Sequence, residues 1–280
     1  MTFNLILAIF PGIFLVLFYF LAQESPHYYN SSPKYDLTIL ALEINKENEL
    51  IDLERDIKEE RAETFSDVWK SKGLIKAFII SIVLMTFQQF SGINAVLFYS
   101  QSIFQEAHTT LEPAVCSIII GCVQFGTSFV TPPLVDRLGR KILLVFSAIG
   151  MIISEVHLGV YTYLKDHDKD VSSISFVPII CLMLYIISFN SGFGPLPWTI
   201  MGELFPSKVK SIASSLTASF SWFLAFLITK YFKPVSESIG MGSSFFIFSA
   251  CCVISIPFCI LYVVETKGKS FQEIQTALNR

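Results

Sequence analysis

The chain has 280 residues, 52% of them hydrophobic and 15% charged, with a mean hydropathy of +0.59. A soluble domain carries about 25% charged residues, so this composition excludes an ordinary soluble fold and points to an all-α polytopic membrane protein. The formal net charge of −3 gives nucleic acid no electrostatic footprint.

Seven apolar segments are predicted to span a bilayer, at 3–22, 74–104, 114–135, 142–164, 176–201, 212–232 and 243–264. Each is close to the about 20 residues that a spanning helix needs, and helices are required because backbone facing lipid must satisfy its own hydrogen bonds. No Lys or Arg precedes the first run, so Phe3 to Ala22 reads as a spanning helix rather than a signal peptide.

The piece at 23–73 is the one sizeable polar stretch. Ser32-Pro33 gives an N-cap and a first-turn proline. Leu37, Leu40, Ala41 and Ile44 follow with the spacing of an amphipathic helix, and Leu50, Leu53 and Ile57 suggest a second. Their apolar stripes are expected to pack on the cytoplasmic ends of the spans.

The second span contains Gln88-Gln89-Phe90-Ser91-Gly92-Ile93-Asn94. Buried amides are costly without partners, so polar groups at this depth face a bundle interior or a wet cavity. On an ideal helix Gln89 and Asn94 lie about 140° apart. Ser91-Gly92 between them offers a break, of the kind from which carriers build midplane sites. None of the three amides titrates, which suits neutral hydroxyls and hence a polyhydroxylated solute such as a sugar. Helix–helix glue is the alternative reading.

Gln124 lies mid-way along the third span and can both donate and accept. Glu155 lies near the middle of the fourth, as either a proton-coupling group or a side chain held against another helix. The fifth span carries Asn190-Ser191-Gly192-Phe193-Gly194-Pro195-Leu196-Pro197-Trp198, where two prolines force a kink. Trp198 offers a flat platform for a sugar ring, or an interfacial anchor.

Three charged clusters punctuate the later connections. They are Asp136-Arg137-Leu138-Gly139-Arg140-Lys141, Gly202-Glu203-Leu204-Phe205-Pro206 and Glu265-Thr266-Lys267-Gly268-Lys269. All fall on the side that holds 16 of the 20 Lys and Arg, which places that side and the C-terminus in the cytoplasm. Exposed ion pairs there are worth about 0–1 kcal/mol each, a value suited to a latch that forms and breaks. The six Cys and four His show no metal spacing, and no nucleophile–base pair appears, so neither a cofactor nor an enzyme is expected.

These stretches resemble the sugar porters of the major facilitator superfamily. Gln88 to Val96 resembles their seventh helix, Asp136 to Lys141 their helix 8–9 loop, and Gly194 to Trp198 with Glu203 to Pro206 their tenth helix and its end. Glu265 to Ser270 is similar to their tail, and Gln23-Glu24-Ser25-Pro26 to the motif after their sixth helix. Gly192-Phe193-Gly194 and Met201-Gly202-Glu203 are similar to the insect facilitated trehalose transporters in particular.

The resemblance implies that sugar is held by Gln88, Gln89, Asn94, Gln124, Asn190 and Trp198. It implies gating by Tyr99, Gly194, Pro195 and Pro197, and a cytoplasmic latch of Glu24, Asp136, Arg137, Arg140, Glu203 and Glu265. Asn190 stands where many members have glutamate, Ser221 where asparagine is frequent, and Glu155 belongs to no motif of the pattern.

The implied organisation is a sixth helix at 1–22, a cytoplasmic helical domain at 23–73, a C-terminal six-helix bundle at 74–264 and a cytoplasmic tail at 265–280. Members have two six-helix halves, so the chain is expected to be a fragment whose partners are a small-molecule sugar, the lipid bilayer and the missing N-terminal half. The expected activity is facilitative transport of trehalose or a hexose across the cell membrane. The alternatives are a proton-coupled symporter using Glu155 and a non-transporting membrane sensor.

Overall fold

The computed structural model describes residues 72–107, 112–167, 169, 171, 174–269 and 271–279. The expected span at 3–22, the amphipathic helices after it and the latch residue Glu24 lie outside the described residues. Every regular element among the described residues is a helix: α1 Lys72–Phe90, α2 Ile93–Ala107, α3 Pro113–Leu138, α4 Arg140–Asp166, α5 Val177–Ser191, α6 Leu196–Leu204, α7 Ser207–Ile239, α8 Met241–Leu261 and α9 Phe271–Asn279.

Six stretches are long and apolar enough to cross a membrane: Lys72–Gln105, Ala114–Leu138, Arg140–Asp166, Val177–Leu204, Val209–Ile239 and Met241–Leu261. They coincide with the last six predicted spans. Two of them are broken rods, α1–α2 and α5–α6.

The first break sits at Ser91-Gly92. Gly92 has φ +80°, a left-handed conformation open to glycine at little cost. A Cβ there would also lie 2.5 Å from the Phe248 ring of α8. The Gly92 N–H turns back to Gln89 O at 3.2 Å instead of the carbonyl one residue earlier. The Ser91 hydroxyl takes over that earlier carbonyl, donating to Gln88 O at 2.7 Å.

The second break follows from proline. Pro197 has no N–H to give the carbonyl of Phe193, four residues back. Gly194 N–H instead closes on Phe189 O at 2.7 Å. Gly192 abuts α4 so closely that a Cβ would lie 2.6 Å from Leu143 O.

α4 sits at the centre of the packing, against α5 and α8. Leu144, Ala148, Met151, Glu155, Leu158 and Thr162 are all buried on it at alternating spacings of four and three, one face of a helix. α3 and α7 are the least covered spans, with 17% and 28% of their most apolar windows buried, against 50% for α4. Phe125 and Phe129 on α3 and Trp222 and Phe226 on α7 point outward.

The segment after the last span is more than a tail. It forms α9, which buries Ile274 and Leu278 against the bundle and packs on α1 and α6.

Candidate functional site

The two breaks meet. Gln88 at the end of α1 is 4% exposed and donates from Nε2 to Phe193 O and to Gly194 O, both at 2.7 Å. The first of these carbonyls is the one that Pro197 leaves without a backbone donor. Gln89 donates to Ser221 Oγ of α7 at 2.9 Å. Its Oε1 accepts from Asn94 Nδ2, so the turn at Ser91-Gly92 joins two amides that a straight helix would hold apart. Tyr185 on α5, fully buried, donates its hydroxyl to Ser91 O at 2.7 Å.

A groove of about 530 Å³ opens beside the second break, lined by Ser128, Thr131 and Val135 of α3, Phe189 and Asn190 of α5, the Gly194-Pro195 turn, and Asp136, Arg140 and Thr199. Asn190 bridges its walls: Nδ2 donates to Thr127 Oγ1 at 2.9 Å, and its carbonyl accepts from Thr131 Oγ1 at 3.0 Å.

Of the six substrate residues that the sequence suggests, Asn190 lines this groove. Gln88 touches it through the Gly194 carbonyl. Gln89 and Asn94 bond to each other and are not among the groove's lining residues. Gln124 on α3 and Trp198 on α6 are half-buried; Trp198 packs on the core, and neither is among the groove's lining residues. The physical reason is local: breaking a helix frees carbonyls, and the nearest amides satisfy them.

Of the gate residues, Gly194 and Pro195 lie on the groove and Pro197 is buried. Tyr99 is elsewhere, donating to Thr229 O of α7 at 2.9 Å, with its ring 5.2 Å from that of Phe232.

The three charged clusters converge at one end of the bundle. Arg140 Nη2 pairs with Glu203 Oε1 at 2.9 Å, and Thr266 donates to the other oxygen of Glu203. Glu265 accepts the backbone N–H groups of Arg140 at 3.1 Å and Lys141 at 3.0 Å. Glu265 thereby caps α4, whose own N-cap is Gly139, with φ +89° and no side chain to offer. Lys267 Nζ donates to Arg137 O at 2.7 Å, near the C-terminus of α3. An anion meets one helix's N-terminus and a cation the other's C-terminus, as the helix dipoles favour.

Burial pushes the Glu265 carboxyl up, but the N–H groups of Lys267, Arg140 and Lys141 and the Arg140 charge outweigh it, so its pKa is lowered. Asp136 and Arg137 are exposed at the same end. Gln275 of α9 joins them by donating to Leu204 O at 2.9 Å. The sequence reading missed Gln275, although Ile274 and Leu278, four apart, carry a helical signal.

Glu155 is 2% exposed and hydrogen-bonded by the Cys252 thiol of α8, while its Oε2 has no partner. Its neighbours are Val96, Ser154, Leu158, Cys181, Leu182, Tyr185 and Phe245, away from the groove.

Six helical stretches long and apolar enough to span a membrane, two of them broken around buried amides, define a class: a multi-pass helical membrane bundle. The crystal structure of a double-tryptophan XylE mutant is similar over 95% of this chain and 56% of its own, with TM-score 0.75 and 23% identity. The proton:xylose symporter XylE is similar with TM-score 0.72 and 25% identity, over 95% of this chain and 56% of that one. The fold is that of the major facilitator superfamily.

The family described as "Sugar (and other) transporter" matches residues 1–278, and the chain belongs to it. The facilitated trehalose transporter Tret1 of Anopheles gambiae is 38% identical over 96% of this chain and 35% of its own length. The Tret1-2 homolog of Drosophila sechellia is 38% identical over 96% of this chain and 57% of its own length. The chain thus spans about a third to just over half of these relatives.

Proposed function

We propose that this chain forms the sugar-reading half of a facilitative carrier that moves trehalose or a hexose down its gradient across the cell membrane. The observation that carries this reading is the neutral cluster of Gln88, Gln89 and Asn94, assembled at one helix break and bonded to a second break beside a groove. Neutral amides offer donors and acceptors to hydroxyls without demanding charge on the ligand. Gln88, Gln89, Asn94, Gln124, Asn190 and Trp198 are the groups assigned to the sugar, with Tyr99, Gly194, Pro195 and Pro197 around its path.

The end that bears Arg137, Arg140, Glu203 and Glu265 is assigned to the cytoplasm, with Asp136 and Glu24 in the same latch. A second six-helix half is assigned to the uncovered faces of α3 and α7, since alternating access rocks one half against the other. Labelled trehalose and glucose uptake in oocytes expressing this chain with a relative's first half tests the reading. Saturable uptake above that of either half alone is expected. Both halves at the surface with no uptake of either sugar overturns it.

A further inference from the structure

We propose that the groove where α1, α8 and α9 meet binds an anionic glycerophospholipid of the surrounding bilayer, with Lys76 holding its headgroup. The groove measures about 560 Å³, within the range of small-molecule sites. It lies where two spanning stretches leave the membrane, since the first of them starts at Lys72 and the last ends at Leu261.

Both walls grade from polar to apolar in the same direction. Lys76, Ile79 and Ile80 line the groove from α1, and a spacing of three and four puts them on one face. Phe258, Leu261 and Tyr262 line it from α8 with the same spacing. α1 starts at this end and α8 finishes at it, so Lys76 and Tyr262 lie outermost. Ile80 and Phe258 lie about one turn deeper, some 6 Å along each helix. A phospholipid has that order of groups, a charged head and then acyl chains. Ile79 and Leu261 are 53% and 73% exposed, so a chain reaches the groove from the bilayer without any helix moving.

The charge selects the head. Lys76 is exposed and, among the described residues, takes part in no ion pair. Its long stem lets the ammonium sit at headgroup level while its methylenes stay on apolar surface. Tyr262 stacks on Phe258 with ring centroids 5.4 Å apart, and a ring with one polar end suits the same level. A zwitterionic head brings its own cation, whereas an anionic one leaves its charge for the lysine. One lysine near an anionic surface is worth about fivefold in binding. The lipid also braces α9, which lends Leu278 to the groove and holds the end of α6 through Gln275 and Leu204 O at 2.9 Å.

Photo-crosslinking of the full chain in phosphatidylcholine nanodiscs tests the site. The probe is a trace of phosphatidylserine with a diazirine in its acyl chain near the glycerol, compared with a phosphatidylcholine probe of the same design. Labelled peptides are read by mass spectrometry. Peptides holding Ile79-Ile80 and Phe258 to Tyr262 are expected to take about fivefold more label from phosphatidylserine. Lys76→Gln is expected to bring that label down to the phosphatidylcholine level, and Lys76→Arg to keep the preference. Lys76 is exposed, so neither change disturbs packing.

Equal labelling of these peptides by the two probes in the parent makes the groove an ordinary lipid contact and overturns the proposal. A phosphatidylserine preference that survives Lys76→Gln overturns the role of the lysine. No labelling by either probe means that another occupant fills the groove, and overturns it too. The readout involves no sugar, so each of these outcomes leaves the carrier reading untouched.

Discussion

At the residue scale, partners far apart in sequence decide what each polar group does. The cluster Gln88, Gln89 and Asn94 was legible because amides in an apolar run need an explanation. Its partners were not, since Phe193, Ser221 and Tyr185 lie about a hundred residues or more away, and only packing brings them near. Trp198, read from the sequence as a sugar platform or an interfacial anchor, is half-buried against the core. Gly192 gives a sharp test. A Cβ there would lie 2.5 Å from Ser147 Cβ and 2.6 Å from Leu143 O, and the second neighbour is backbone that cannot swing aside. Gly192→Ala is expected to destabilise by about 1–3 kcal/mol, the range for overpacking, read as a lowered melting temperature in detergent. Glu155 is a test of the opposite kind. It has no cation among its neighbours and no place on the groove, so Glu155→Gln is expected to leave sugar binding and its pH dependence unchanged. A loss of pH dependence in that variant would restore the symport alternative.

At the element scale, both helix breaks were readable from composition. Serine–glycine in one span and proline pairs in the other left the backbone no regular course. The role of the charged clusters was readable only in part: opposite charges at three helix ends suggested ion pairs, and among the described residues of these clusters one such pair forms, Arg140 with Glu203. The larger contribution of Glu265 is as a cap on α4, which sequence distance concealed because the donors lie more than a hundred residues earlier. Loss of a helix cap costs about 0.5–2 kcal/mol, so Glu265→Ala is expected to lower stability by that amount and to increase exchange in the first turn of α4. The pH dependence follows the same geometry. The folded-state pKa of Glu265 is lowered, so its contribution is fully present above the unfolded value of about 4.3. It is lost as pH falls below that value and through the folded-state pKa. Thermal unfolding of the parent chain should therefore lose more stability on acidification through this window than that of Glu265→Gln; parallel curves would contradict the cap.

At the scale of the whole molecule, six of the seven expected spans form within the described residues, the one at 3–22 lies outside them, and the family match covers 1–278. Periodicity and length carried that much, because a spanning helix leaves little freedom in sequence. What they could not carry is which faces meet lipid and which meet protein. In an apolar solvent both surfaces are equally hydrophobic, so Phe125 on α3 and Trp222 on α7 give no compositional signal of a partner. Docking of a second half is expected to shield these two residues from an aqueous or lipid-soluble label while leaving Phe146 of α4, exposed elsewhere on the bundle, labelled as before. Equal labelling of all three with and without the second half would place the interface elsewhere.

The central claim is that uncharged amides at a broken helix read sugar hydroxyls. Equilibrium binding of labelled trehalose to this chain, completed by a second half in nanodiscs, measures it directly when Gln89→Leu is compared with the parent. Saturable binding displaced by unlabelled trehalose, and weakened about tenfold or more by removing the hydrogen-bonding partner, is the expected result. Displaceable binding of equal strength in the parent and in a correctly folded Gln89→Leu would contradict the account.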